Sequence, residues 1–367
     1  MSRAIRLPLV VIAVLAVACV SDSAEVTTAT TTPAPTTSSS VVIPSTQPTA
    51  GGTASSTTVT TTPEYLSADE LTIEVFPVPS GSRPHDVAPA ADGGVWYTAQ
   101  ASGELGWLDP ATGETVRIPL GEGSQPHGVI VDDQGTAWVT DGGLNAVVSV
   151  DQSTHEVTGY PLPDDRPDSG VHTATFDDDG ILWFTGNASG VFGSLDPATG
   201  EMRVYDAPRG SGPYGITATP GGSVFFANLR ASYVGAISDD GSATVAEPPT
   251  PNQGARRVWS DSQGSIWVSE WNSGNLSRYT PETEEWTTWA LPGDNPAAYA
   301  VYVDEADIVW VSDFGANAMV RFDPVSQAFT SYPLPHEPGE VRQILGRPGE
   351  VWGAESAADH LILIRTS

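Results

Sequence analysis

From residue 71 onward the chain alternates short apolar runs with polar, glycine-rich breaks, and the alternation itself repeats. Seven large aromatic residues mark the register: Trp96, Trp138, Trp183, Phe225, Trp267, Trp310 and Trp352, spaced 42 to 45 residues apart. Each follows a polar turn such as Asp132-Asp133-Gln134-Gly135 and opens a β-prone stretch such as Trp183-Phe184-Thr185 or Trp267-Val268-Ser269. About nine residues earlier lies an apolar strand start, at Val87, Val129, Ala174, Ile216, Val258, Val301 and Ile344. A third apolar run follows the aromatic, as in Leu105-Gly106-Trp107-Leu108. A tight turn, Asp109-Pro110-Ala111-Thr112-Gly113-Glu114, which recurs verbatim at 196–201, then leads to a fourth run. Four short strands at a period of about 43 residues predict an all-β fold, a seven-bladed β-propeller of four-stranded blades. No stretch has a helical period. The last repeat stops at Ile362-Leu363-Ile364-Arg365 without a fourth strand, and an unpaired strand, Leu71 to Pro79, stands at the other end of the domain. This N-terminal strand is expected to complete the seventh blade and remove its open edge.

Upstream of the repeats the pattern changes. Arg3 and Arg6 precede an apolar run from Leu7 to Val20, shorter than the roughly 20 residues that span a bilayer and suited to a signal-peptide core over residues 1–19. Its end, Leu15-Ala16-Val17-Ala18-Cys19, resembles a bacterial lipobox, which implies lipidation at Cys19. Residues 20–63 are rich in Thr, Ser and Pro, and from Val26 to Pro63 carry no charged or aromatic residue, so they are expected to form a disordered tether. The domain then covers 64–367. These features predict an exported protein, either secreted or held at the outer face of the cell membrane through a lipid anchor alone.

Composition narrows the chemistry. Fifteen basic residues, all arginine, against 45 acidic ones give a formal net charge of −30, which argues against nucleic acid as a partner. The absence of lysine excludes Schiff-base chemistry and a Walker-type phosphate lysine. Cys19 is the sole cysteine, so thiol nucleophiles and thiolate zinc sites are excluded from the domain, which is expected to be monomeric. Asp177-Asp178-Asp179-Gly180 has the look of a calcium loop but lacks the distal glutamate, and reads as a turn.

The blade motifs resemble those of the virginiamycin B lyase (streptogramin lyase) propellers. They are Arg83-Pro84-His85, Gln125-Pro126-His127-Gly128, Gly212-Pro213-Tyr214-Gly215-Ile216, Trp183-Phe184-Thr185 and Tyr332-Pro333-Leu334-Pro335. In such folds the residue leading into each inner strand points to the central channel, which implies a ring of His85, His127, His172, Tyr214, Arg256, Tyr299 and Arg342. The position three after each aromatic adds Ala99, Asp141, Gly186, Asn228, Glu270, Asp313 and Glu355. Such a ring either binds a ligand or hydrogen-bonds neighbouring blades together.

The resemblance implies opening of a cyclic depsipeptide by elimination, with a histidine removing a proton α to a carbonyl while Mg²⁺ on two glutamates stabilises the developing charge. Carried over directly, the metal ligands are Glu340 and Glu355. Arg342 then stands at the base position, and Tyr299 at that of a substrate-binding histidine. A rotated register matches His85 to the substrate-binding histidine and His127 to the base, with Gln125 and Asp141 as the metal ligands. In the direct register His85 is the only ring histidine in a blade neighbouring Glu340 and Glu355, so His85 and His127 are the expected catalytic residues. Arg342, Tyr299, His172, Tyr214 and Arg256 are expected to hold a small cyclic peptide ester in the channel mouth. Two other readings stay open: a propeller that only binds a ligand or partner, and a lactonase or esterase with a calcium site built from Glu270, Asn228 and Asp313.

Overall fold

The computed structural model describes residues 65–238 and 240–367. The leader, Cys19 and the tether up to residue 64 lie outside the described residues. Seven four-stranded antiparallel sheets follow one another along the chain. We number them blade 1 (84–119), blade 2 (126–161), blade 3 (171–206), blade 4 (213–246), blade 5 (255–290), blade 6 (298–333) and blade 7 (341–365). Blade 7 contributes only three strands from the end of the chain. Its fourth is Ile73–Pro77, paired antiparallel with His360–Arg365 in a register running from Ile73 opposite Ile364 to Pro77 opposite His360. The expected closure is therefore present, and Leu66 N–H continues it by donating to the Thr366 carbonyl at 2.7 Å. A single 3₁₀ turn, Ala68–Glu70, is the helical structure among the described residues.

The burial of each strand follows from its place in the blade. Second strands such as Val95–Ala99 and Ile266–Glu270 are buried along their whole length, since both faces pack against neighbouring blades. Fourth strands such as Val157–Pro161 are mostly exposed and carry the polar residues. The register aromatics fill the spaces between blades. Trp96 packs with Val129, Ala137 and Val148 of blade 2, and Trp310 with Ile344, Val351 and Ile362 of blade 7.

A buried indole needs an acceptor for its N–H, and this explains the polar turn before each tryptophan. An aspartate six positions earlier takes that bond at Trp138 (Asp132, 2.8 Å), Trp183 (Asp177, 2.7 Å), Trp267 (Asp261, 3.0 Å) and Trp310 (Asp304, 2.8 Å). The other aspartate oxygen closes the turn, as where Thr136 N–H donates to Asp132. Asp177 does this work in blade 3, so its acidic run is a turn. In blade 4 the aromatic is Phe225, which has no N–H, and Thr219 occupies the aspartate position. In blade 7 Glu350 replaces the aspartate. Blade 1 breaks the rule, because Ala90 stands six residues before Trp96 and the Trp96 indole N–H has no partner.

Two predictions follow from closure and from this indole. Removing residues 71–79 leaves the His360–Arg365 edge open, so the truncated chain should aggregate or lose its single cooperative melting transition; an intact transition would refute closure as a stabilising element. Ala90→Asp supplies the missing acceptor in a turn of the same geometry, beside the Arg347 guanidinium that already donates to the Ala90 carbonyl. It should raise stability by about 1 kcal/mol, read as a higher midpoint in denaturant.

Candidate binding site at the channel mouth

Every inner strand begins with an irregularity in its pairing, for example between Pro84 and Val87, Ala255 and Val258, and Val341 and Ile344. In blade 1 the two residues His85 and Asp86 thus lie opposite one, Thr98, which is a β-bulge, and such bulges re-aim side chains. In blades 1, 2, 3, 5 and 6 a hydroxyl two positions after the register aromatic fixes it, while blades 4 and 7 have Ala227 and Ala354 there. Asp86 N–H donates to Thr98 Oγ1 at 2.9 Å, Gly128 N–H to Thr140 at 2.8 Å, and Arg257 N–H to Ser269 at 3.0 Å. The same hydroxyls donate onward to the ring residue of the next blade. Thr98 bonds the His127 carbonyl, Thr140 that of His172, Thr185 that of Tyr214 and Ser269 that of Tyr299, at 2.6 to 2.8 Å.

The bulges bring the seven expected ring residues together. His85, His127, His172 and Tyr214 stack in sequence with ring centroids 3.8, 3.6 and 3.7 Å apart. Across the mouth Tyr214 and Tyr299 share a hydroxyl hydrogen bond of 2.8 Å. Arg256 donates to the Tyr214 hydroxyl at 2.9 Å and lies 3.5 Å over the Tyr299 ring, with Trp271 at 4.6 Å. Arg342 lies 5.8 Å from the Tyr299 ring centroid and is ion-paired to Glu340 at 2.6 Å. One half of the ring is thus three imidazoles and the other is guanidinium and aromatic. Among the described residues no carboxylate pairs with Arg256, and the Nε atoms of Arg256 and Arg342 have no acceptor.

Directly beneath lies a second layer that the sequence reading passed over. Arg257 grips both oxygens of Asp86 at 2.9 and 3.2 Å and donates to Thr173 Oγ1 at 3.0 Å, spanning the channel. His85 Nδ1 bonds Asp86 at 2.7 Å. Blades 2 and 4 supply glycine here because there is no room: a Cβ on Gly215 would stand 2.6 Å from Arg257 Cα, and one on Gly128 would stand 2.9 Å from the His172 carbonyl. This layer separates the mouth from a cavity of roughly 280 Å³ deeper in the channel, lined by Ile130, Thr175, Trp259 and Leu345 among others. The signal was available, since the second layer is the position following each ring residue.

Burial keeps all three imidazoles neutral. It holds His85 well below the ordinary histidine range, with Arg342, Arg257 and Arg256 adding to the effect. The same is true of His127, where His85 adds most after burial, and of His172, where His127 does. Burial pushes the Asp86 carboxyl up although Arg257 pulls it down. At Tyr299 burial is overcome by Arg256, Arg342 and Arg257, which lower its hydroxyl, whereas burial raises that of Tyr214. The histidines differ in freedom: His85 Nδ1 is held by Asp86 and His172 Nδ1 by Thr173, while His127 Nδ1 has no partner and His127 is the only one of the three not fully buried.

The position-three side chains are engaged elsewhere. Asp141 accepts from Ser124 Oγ and from the backbone N–H groups of Gln125, Gly143 and Leu144, all at 2.5 to 2.9 Å. Asp313 Oδ1 holds Ala297 and Gly315 N–H while its Oδ2 has no partner, Asn228 holds Ala231 N–H, and Glu270 is held by Ser273, Asn275 and Ser277. Glu355 accepts from His336 N–H at 3.3 Å and pairs with His336 Nδ1 at 2.7 Å. A hard cation needs free oxygen ligands. Glu340 Oε2 is held by the Arg342 guanidinium, Glu355 meets His336, and Asp141 accepts three hydrogen bonds on Oδ1 and one on Oδ2, so the carboxylates of both expected Mg²⁺ sets have partners within the protein.

A model of the virginiamycin B lyase family matches residues 71–364. Among solved structures, selenomethionine-substituted virginiamycin B lyase from Staphylococcus aureus is 21% identical with a TM-score of 0.75, covering 81% of this chain and 99% of that one. A streptogramin B lyase is 24% identical with a TM-score of 0.74, covering 81% and 98%. A catalytically inactive Staphylococcus aureus virginiamycin B lyase solved with quinupristin is 22% identical with a TM-score of 0.75, covering 81% and 99%. Among curated proteins none matches.

The neutral histidines make stability depend on pH. In the unfolded chain they take up protons near pH 6.5 and in the fold they do not, so the unfolded state binds more protons and stability falls as pH drops through 6.5. Three such groups amount to at most about 4 kcal/mol per pH unit, with Asp86 opposing because it is protonated more readily in the fold. Relief of general negative repulsion on acidification affects every variant alike. The readout is therefore a difference: between pH 7.5 and 5.0, His172→Gln should lose less stability than the parent. Equal losses would show that the stacked imidazoles are protonated in the fold.

Proposed function

The chain belongs to the virginiamycin B lyase family, and we propose that its channel mouth opens a small cyclic ester by elimination, with His127 as base and Arg256 and Arg342 as the electrostatic partners. The observation that carries this reading is the division of the ring into neutral imidazoles facing the Arg256 guanidinium, which has no carboxylate partner, and Arg342, which shares Glu340. His127, the one ring histidine not fully buried, can take a proton α to a carbonyl at Nε2, its Nδ1 being buried. The electron pair forms a carbon–carbon double bond, the ring C–O bond breaks, and the oxygen leaves as a carboxylate. Negative charge appears first on the carbonyl oxygen and then on the leaving group, and preorganised cations lower the cost of both. Arg342 cannot be the base, because a guanidinium keeps its proton. In this mouth it does what a cation does, which suits a family member whose expected Mg²⁺ carboxylates have partners within the protein. His85, held by Asp86 and stacked on His127, positions the base, while Tyr299, Tyr214 and His172 wall the site. The leader and tether support action outside the cell.

The test is incubation with a type B streptogramin or a simpler cyclic depsipeptide, followed by mass. Elimination gives a linear product of unchanged mass, whereas hydrolysis adds one water. His127→Ala should lower turnover by about 10²-fold or more, Arg256→Ala and Arg342→Ala should each lower it, and chelator should leave it unchanged. A hydrated product refutes elimination. Calorimetric binding without turnover replaces this reading with that of a binding propeller, which the weak basicity of the buried imidazoles would favour.

A further inference from the structure

One cluster of ligating side chains stands apart from the ring. His336, Glu355 and His360 each offer a ligand atom, and these lie within 4.8 Å of one another. Three separate constraints put them there. Glu355 ends the second strand of blade 7 and His360 begins the third, and the two are register partners across a tight turn, which sets their side chains on one face. His336 comes from the loop leaving blade 6. Its carbonyl accepts from Asn317 Nδ2 at 2.7 Å, and Leu334 N–H donates to the Asn317 carbonyl at 2.9 Å. The His336 and His360 rings stack at 4.2 Å with an 18° tilt.

The chemistry of the cluster is that of a metal site. Glu355 is fully buried, yet its carboxylate meets only the backbone and ring of His336, unlike Asp141 with its four donors. A buried carboxylate calls for a cation or a full set of hydrogen bonds. His360 Nδ1 donates to the Ala358 carbonyl at 2.5 Å, which leaves Nε2 with its lone pair exposed. A backbone acceptor on the far ring nitrogen is the outer contact that metal-binding histidines make. Two imidazole nitrogens and one carboxylate oxygen match a borderline-soft divalent ion with bonds of about 2.0 to 2.2 Å, and three protein ligands leave a position for water. The other such cluster, His85, Asp86 and His127, has the Arg257 guanidinium 2.9 Å from its carboxylate, and belongs to the mouth.

We infer that His336, Glu355 and His360 bind one divalent transition-metal ion of the zinc class. The ion takes the place of the proton shared by His336 and Glu355, and one of the two stacked rings turns so that both in-plane lone pairs reach it. It joins the loop leaving blade 6 to the turn of blade 7, beside the strand pair Pro77 and His360 that closes the ring. This inference does not rest on the proposed reaction, since neither histidine belongs to the ring and Glu355 has no part in the proposed elimination.

Co²⁺ is the probe, because its visible absorption reports tetrahedral nitrogen and oxygen ligation. The untagged full chain should take up one equivalent, Zn²⁺ should displace it, and Zn²⁺ should raise the melting temperature. His336→Ala and His360→Ala should each weaken uptake at least tenfold, and His155→Ala, which alters an exposed turn histidine, should not. Glu355→Ala removes a buried group and can unfold the blade, so the two histidine variants decide the matter once their circular dichroism matches the parent. No band with the parent chain, a band that survives the double histidine change, or a band lost instead in His127→Ala each overturns the inference.

Discussion

In five of the seven blades a single hydroxyl, at Thr98, Thr140, Thr185, Ser269 or Ser312, holds the architecture of the mouth. An inner strand that bulges leaves a backbone N–H without its ladder partner, and a buried unpaired N–H costs about 1–3 kcal/mol. Thr98, Thr140 and Ser269 each take that N–H, and each gives its own proton to the next blade's ring carbonyl. One side chain thus satisfies two backbone groups in two blades. It locks the bulge and sets the spacing between neighbouring ring residues, so the imidazole stack and the Asp86–Arg257 pair both depend on it. Val or Ala at such a position leaves both groups unpaired, which is why a change that looks conservative in size is not conservative in effect.

The distribution of charge then acquires a meaning that the total hides. The chain is strongly acidic, yet three of its arginines, Arg256, Arg257 and Arg342, converge on one narrow mouth. Arg257 is neutralised by Asp86, and Arg342 is partly neutralised by Glu340. Arg256 has aromatic faces instead of a carboxylate. The acidic exterior repels preformed anions within about a Debye length, while in the proposed reaction the mouth would stabilise negative charge that develops there. A neutral ring compound suits that arrangement better than a free acid.

Much of this was legible in the sequence, because the repeat is written in large residues. The tryptophan spacing and the orphan strand at Leu71 to Pro79 gave the blades and their closure, and the position before each inner strand gave all seven ring residues. The carboxylates at Asp141, Glu270 and Asp313 read in the sequence as a periodic ligand set. In the fold Asp141 and Glu270 are held by loop N–H and O–H groups that sequence alone does not place, and Asp313 keeps one buried oxygen without a partner. The second layer escaped notice because a bulge sends two successive residues to the channel, contrary to the alternation expected of a strand. The cluster of His336 with His360 escaped because neither belongs to the repeat; only the hairpin register and the Asn317 anchor bring them together.

The closing strand also fixes an order of events. Glu74 and Arg365 are 291 residues apart in sequence and bonded at 2.8 Å in the fold. Holding such a distant pair together before the intervening blades exist is entropically unfavourable, since closure cost rises with loop length. The first strand to be synthesised is therefore among the last to find its partner, and six blades can assemble pairwise while it waits. During synthesis the chain is an open arc with two sticky ends. Its passage to a ring is a late step in folding, at which two copies could exchange Ile73–Pro77 and become a strand-swapped pair.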